Sequence, residues 1–166
     1  KDVYASIDWS SRSSRISNSD GSTVFEMHDA EVPATWSQLA TDIVVSKYFR
    51  KAGLPTAPGH ENSVRQVVHR LANTARIAGE QQGGYFASPE DADAFEAELS
   101  YMLVHQIGAF NSPVWFNFGL FHQYGITGSG GSFYTDLATN EVKMTTDSYT
   151  HPQVSACFIQ SVDDDL

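Results

Sequence analysis

The spacing of hydrophobic positions changes along the chain, and each change predicts a different kind of element. Residues 1–33 read as polar and irregular. Within them Asn18-Ser19-Asp20-Gly21 is a turn signal between Arg15-Ile16-Ser17 and Thr23-Val24-Phe25-Glu26-Met27, which predicts a short hairpin. Val32-Pro33 closes it, because proline donates no hydrogen bond to a ladder. From about Thr35 to Ala52, Trp36, Leu39, Ala40, Ile43, Val44 and Tyr48 recur at helical spacing, and Gly53 stops the run. Leu54 to Gly59, with Pro55 and Pro58, reads as a linker. A second helix starts near Asn62, carries Val64, Val67, Val68, Leu71 and Ala75 on one face, and ends at Gly83-Gly84. A third has Ser88 as N-cap, Pro89 at its first position, and Glu90 and Asp91 in its first turn, where the helix dipole favours them. Phe95, Leu99, Met102 and Leu103 form its apolar face, which ends near Gly108.

Beyond Gly108 the helical period stops. Phe110 to Gly119 packs four aromatics, two asparagines and a proline into ten residues. That mixture predicts a loop that packs inward and turns its polar groups to a ligand. Gly125 to Ser132 reads as a flexible connection. Phe133-Tyr134 and Val142-Lys143-Met144 flank a turn and predict an exposed hairpin. Val154 to Ile159 is a short apolar run that predicts a buried strand, with Ser155, Cys157 and Ile159 on one face and Ala156, Phe158 and Gln160 on the other. After Gln160, Ser161 and Val162 come Asp163-Asp164-Asp165 and Leu166. This ending predicts that the strand belongs to a larger sheet or barrel cut after Leu166, and Lys1 in place of Met predicts a trimmed N-terminus.

Composition narrows the classes. At 166 residues, 41% hydrophobic and 12% aromatic, the chain is globular and large enough for one core, or for a helical domain and the start of another. A net charge of −10 argues against a nucleic-acid backbone as partner, although a nucleotide site needs only a few N–H groups. No apolar run approaches a membrane span and no secretory signal opens the chain, so a cytoplasmic protein is expected. The six histidines form no metal-ligand spacing, which argues against zinc. The aspartate run reads as a solvated turn, and Gly128-x-Gly130-Gly131 lacks the Lys-Ser/Thr of a phosphate loop. Cys157, the only cysteine, closes no internal disulfide. Most free cysteines are inert packing, but small Ser155 and Ala156 leave room for a ligand beside this one. Read from the residues alone, the chain has a helical domain, an aromatic Asn-Ser-Pro loop and a strand with one thiol. Those features do not define a reaction.

The segment Gln106 to Asn117, with Phe-Asn-Ser-Pro-Val-Trp-Phe-Asn at its centre, and the segment Pro152 to Ile159, with Ser-Ala-Cys-Phe-Ile, resemble the N-terminal region of the adenosylcobalamin-dependent (class II) ribonucleotide reductases. Val32-Pro33-x-x-Trp36-Ser37-Gln38, Ser46-Lys47-Tyr48-Phe49, Glu61-x-Ser63-Val64-Arg65 and Gly84-Tyr85-Phe86 are similar to that family in order and spacing, so the resemblance covers nearly the whole chain. It implies an α+β fragment. Residues 1–33 would be a polar segment with a hairpin, 34–108 a mainly helical domain, and 109–166 the start of a ten-stranded α/β barrel. It also implies reduction of ribonucleotides, the diphosphates among them, to deoxyribonucleotides by radical chemistry. Adenosylcobalamin would be the cofactor, with its contacts outside these residues. Cys157 matches a redox-active thiol, one of a pair that supplies the electrons. Ser112 and Ala156 match substrate-binding positions, together with Cys157. Asp164, Asp165 and Leu166 match the start of an effector-binding segment. The implied partners are a ribonucleotide substrate, a deoxynucleotide or ATP effector and a thioredoxin-like reductant. A homodimer is left open, and neither nucleic acid nor membrane is expected. The residues also allow another reading, a stand-alone helical module that binds a nucleotide or peptide without catalysis.

Overall fold

Two long strands open the chain in the computed structural model, which describes residues 2–157. After a 3-10 turn at Val3–Ser6, β1 (Trp9–Ser17) pairs antiparallel with β2 (Thr23–Pro33), from Ser17↔Thr23 out to Trp9↔Pro33. The hairpin is therefore much longer than the short one expected, and the first 33 residues are not irregular. Its inner face is carried by small residues: Ser14, Ala30 and Val32 are fully buried. Serine pairs separated by single arginines give β1 little hydrophobic contrast, which hides a period-2 pattern from sequence. Pro33 sits on the last rung, consistent with a residue that cannot extend the ladder.

The first predicted helix is shorter than expected. α1 runs Gln38–Ile43, capped by Ser37, whose Oγ accepts from the Ala40 N–H. It passes into a π-helical turn, Val44–Tyr48, and ends there rather than at Ala52. The Phe49 N–H donates to the Val44 carbonyl, five residues back, at 3.0 Å. The wider turn rotates the apolar stripe. Val44 and Val45 face the core, while Leu39 and Ile43 are 71% and 44% exposed.

α2 (Val64–Gln82) and α3 (Pro89–Val104) follow the sequence closely. Ser63 and Gln66 form a capping box at the start of α2, and Gly83 ends it. Ser88 caps α3 as expected, with Pro89 as its first residue. This helix stops at Val104, short of Gly108, and Met102 of its predicted apolar face is exposed.

The Asn-Ser-Pro stretch is not a loop. It forms α4 (Ser112–Asn117), with the Asn111 side chain accepting from the Val114 N–H. Pro113 falls in the first turn, where its missing donor costs no helix bond. Gly119, at φ +82°, turns the chain into α5 (Leu120–Tyr124). β3 (Phe133–Asp136) and β4 (Glu141–Met144) form the exposed hairpin that the sequence predicts.

The last prediction fails over its described part. Val154 to Cys157 is not a strand, and Cys157 is exposed rather than buried. A strand is held by ladder partners on its flanks. Among the described residues neither hairpin pairs with this segment. Phe158 to Ile159 lie outside the described residues.

One core joins the hairpin to the helices. Val32 of β2, Val45, four α2 residues (Val64, Val67, Val68 and Leu71), Val104 at the end of α3 and Trp115 of α4 pack together. The architecture is α+β, with two separate two-stranded antiparallel sheets among the described residues. No helix among the described residues is long and apolar enough to cross a membrane.

Candidate functional site

α4 lies where three parts of the fold meet, and each holds it by a different contact. From the π-turn comes Tyr48. Its ring stacks on Trp115 with centroids 5.3 Å apart and planes at 17°, and tilts against Phe116 at 5.5 Å. Its hydroxyl lies 3.2 Å from the Ser112 Oγ, and Ser112 is half-buried at the start of α4. The Trp115 indole N–H donates to the Phe110 carbonyl at 2.9 Å and so ties the approach to α4 onto the helix itself. Behind this face lies a cavity of about 380 Å³, lined by Trp36, Tyr48, Leu103, Ile107, Phe110 and Trp115 among others.

From α2 comes Arg70, whose side chain is fully buried against an equally buried Glu61. Arg70 Nε donates to Glu61 Oε1 at 2.8 Å, and Nη2 donates to Oε2 at 3.2 Å. The other side of the guanidinium reaches α4. Nη1 donates to the Phe118 carbonyl at 2.6 Å and Nη2 to the Trp115 carbonyl at 3.2 Å. Glu61 is fixed in turn by the Arg50 backbone N–H at 2.7 Å and the Tyr124 hydroxyl at 2.8 Å. Burial, reinforced by the Glu61 charge, pushes the Tyr124 phenol well above its ordinary value, so Tyr124 stays a donor.

The third contact leads toward the thiol. Asn117 Nδ2 donates to the Gln153 carbonyl at 3.1 Å, four residues before Cys157. His151 in the same segment stacks on Tyr134 of β3 at 3.6 Å. Ala156 and Cys157 are exposed at the end of the described residues, and Asp164, Asp165 and Leu166 lie outside them. The structure thus links the Ser112 helix to the chain that carries Ala156 and Cys157 through the Asn117 bond.

Sequence reasoning missed Tyr48, Glu61 and Arg70 as parts of this arrangement. Arg70 did leave a signal: it interrupts the apolar run Val67-Val68-His69-Arg70-Leu71 on the buried side of α2. A charge there requires a buried partner. Nothing local marks Glu61 as that partner.

Residues 10–106 match the family model for the N-terminal domain of class II vitamin B12-dependent ribonucleotide reductases. The chain belongs to that family. Its relatives include proteins named vitamin B12-dependent ribonucleotide reductase. The one from Rhodopirellula baltica is 46% identical over 164 residues, covering 98% of this chain and 16% of the relative. Those from Agrobacterium fabrum and Bradyrhizobium diazoefficiens are 44% and 43% identical, cover 98% of this chain, and are themselves covered over 15% and 16% of their length. The chain therefore spans about a sixth of the length of these relatives.

The family implies cobalamin, and the described residues do not fit it. A drug-sized ligand fills a pocket of roughly 300–1,000 Å³, and a corrin with its axial groups is far larger than such a ligand. The 380 Å³ cavity behind α4 is too small, and no histidine lines it. An open groove of about 1060 Å³ between the 3-10 turn and α3 is lined by small and apolar residues such as Val3, Ala94 and Met102 and by four carboxylates, Asp2, Glu90, Asp93 and Glu98, which would repel the phosphate of the cofactor's nucleotide loop.

Proposed function

We propose that this chain is the part of a cobalamin-dependent ribonucleotide reductase that presents the substrate-contacting Ser112 helix and carries one thiol of the redox pair. Family membership across 98% of the chain is the observation that carries this reading. The full protein would complete a ten-stranded α/β barrel in which Val154 to Ile159 becomes the first strand. It would act in the cytoplasm on ribonucleoside diphosphates, under a deoxynucleotide or ATP effector bound from Asp164, Asp165 and Leu166 onward. The cofactor, as adenosylcobalamin, would start the radical chemistry from contacts in the remainder of the protein. A thioredoxin-like protein would restore the thiols.

The proposed roles follow from the residue types. Ser112 brings a hydroxyl that donates or accepts, without adding positive charge to an acidic chain. Ala156 has no bulk to keep a nucleotide from the backbone beside Cys157. Cys157 and a second cysteine each give up a hydrogen atom and join as a disulfide. The ribose 2′ carbon exchanges its hydroxyl for hydrogen, and the hydroxyl leaves as water. A redox thiol has to be reached by both substrate and reductant, which the small side chains of Ser155 and Ala156 beside Cys157 allow.

The test is a reductase assay on the full-length protein with adenosylcobalamin, a dithiol and either a ribonucleoside diphosphate or triphosphate. Deoxynucleotide formed from the diphosphate supports the reading, and product from the triphosphate alone corrects its substrate class. Nucleotide binding with no reduction under any of these conditions favours a binding module.

A further inference from the structure

We propose that Arg70 is a positioning residue for the Ser112 helix, and that Glu61 holds it in that role. This rests on the reading of Ser112 as a substrate contact.

Stability alone gives no reason for a charge here. Replacing a buried ion pair by apolar residues of similar volume is often neutral or stabilising, whereas removing one partner is not. What an apolar pair cannot do is bond to carbonyls. α4 has six residues, far below the length at which a helix holds itself together in water. The Trp115 carbonyl, in its last turn, needs a partner from outside the helix. Arg70 supplies that bond and a second one to Phe118, one residue past the helix end.

The backbone reinforces the grip. Gly119 follows at once, so close to α2 that a Cβ would lie 2.6 Å from both the Arg70 carbonyl and the Thr74 hydroxyl. The C-terminal end of α4 is therefore held on α2 by a side chain and by backbone contact together. Arg70 itself is not free to rotate, because two of its nitrogens are committed to Glu61, and Glu61 is committed to Arg50 and Tyr124. The order runs from Arg50 and Tyr124 to Glu61, to Arg70, to the carbonyls of α4, and so to Ser112 at its other end. Only a planar fork serves this geometry. A lysine ammonium keeps the charge but cannot reach the carboxylate and both carbonyls at once.

The experiment compares Arg70→Lys, Ser112→Ala and the double variant in the full-length protein, reading ribonucleotide affinity and amide hydrogen exchange. Arg70→Lys should weaken ribonucleotide binding by roughly two- to tenfold, the value of one neutral hydrogen bond. It should also speed exchange at the amides of residues 114–118 while leaving the α3 amides unchanged. In the double variant it should add nothing to the loss from Ser112→Ala, because it acts through that residue. Additive losses, or unchanged exchange in α4, overturn the proposal and leave the reading of Ser112 intact. A neutral Ser112→Ala overturns the reading of Ser112, and exchange in α4 still decides whether Arg70 positions the helix. Should Arg70→Lys fail to fold, Glu61→Gln carries the same comparison, since it weakens the hold on Arg70 with almost no change of shape.

Discussion

The hydroxyls of Tyr48 and Ser112 meet at 3.2 Å across 64 residues of sequence. The contact joins the end of the π-turn to the start of α4, and it depends on how the π-turn winds. A continuous α-helix through residue 52 would carry Tyr48 on a different face.

Removing only the Tyr48 hydroxyl separates this contact from the ring stack. Tyr48→Phe should lower stability by about 0.5–1.5 kcal/mol. Tyr48→Ala should cost more, because it also loses the stack on Trp115, worth about 0.5–1.5 kcal/mol beyond area burial. Chemical denaturation of both variants checks the order. Equal losses would show that the ring contributes nothing.

The Glu61–Arg70 pair makes a sharper prediction about its own energetics. Glu61→Ala leaves a buried guanidinium without its counter-charge and should cost on the order of 3–5 kcal/mol. The paired change Glu61→Leu with Arg70→Met should cost much less than Glu61→Ala alone. Thermal and chemical unfolding of the three proteins decide it. A paired variant as unstable as Glu61→Ala would mean that the carbonyl bonds, rather than the charge balance, dominate.

Gly119 and Gly125 both adopt left-handed backbone, at φ +82° and +65°. Only Gly119 has neighbours where a Cβ would stand. Gly125→Ala should therefore cost about 1–2 kcal/mol for the backbone alone, and Gly119→Ala clearly more, since α5 must move off α2. Similar losses at the two sites would contradict the close approach of Gly119.

Lys51 carries a pH signature. Its ammonium donates to the Val45 carbonyl and lies 4.2 Å from the centroid of the Phe25 ring, and burial pushes it down from 10.5 to about 8. The folded value lies below the unfolded one, so between about pH 8 and 10.5 the unfolded chain binds more protons. Stability from this group rises with pH through that window. Lys51→Met should flatten the rise, read as the difference in denaturation midpoint between pH 7.5 and 10. An unchanged pH dependence would remove Lys51 as its source.

How much of this was legible in the sequence follows the range of the interactions. α2 and α3 were readable because their signals are local: Ser63 and Ser88 as caps, Gly83 as stop, and valines at helical spacing. α4 reads as a loop in sequence because its aromatic and asparagine content outweighs the Asn111 cap and the first-turn position of Pro113. The shortened first helix was hidden, since a π-turn leaves the apolar count unchanged and moves only its phase. Resemblance of short motifs points to Ser112 and Cys157, but not to the Arg70–Glu61 pair or Tyr48. Those contacts are made only by folding, across nine residues or many more. Val154 to Cys157, the described part of the strand predicted around the thiol, has no ladder partner among the described residues, and a strand takes its shape from its neighbours.

The central claim is that Cys157 is a redox thiol, and disulfide mapping after turnover tests it most directly. The full-length protein, fully reduced, is allowed to turn over ribonucleotide with adenosylcobalamin and no external dithiol, then alkylated and analysed by mass spectrometry. Cys157 should be found joined to a second cysteine of the protein, in proportion to the deoxynucleotide formed, and Cys157→Ser should bind nucleotide but fail to sustain turnover. A Cys157 that remains fully alkylated while product accumulates and other cysteines pair would contradict the account.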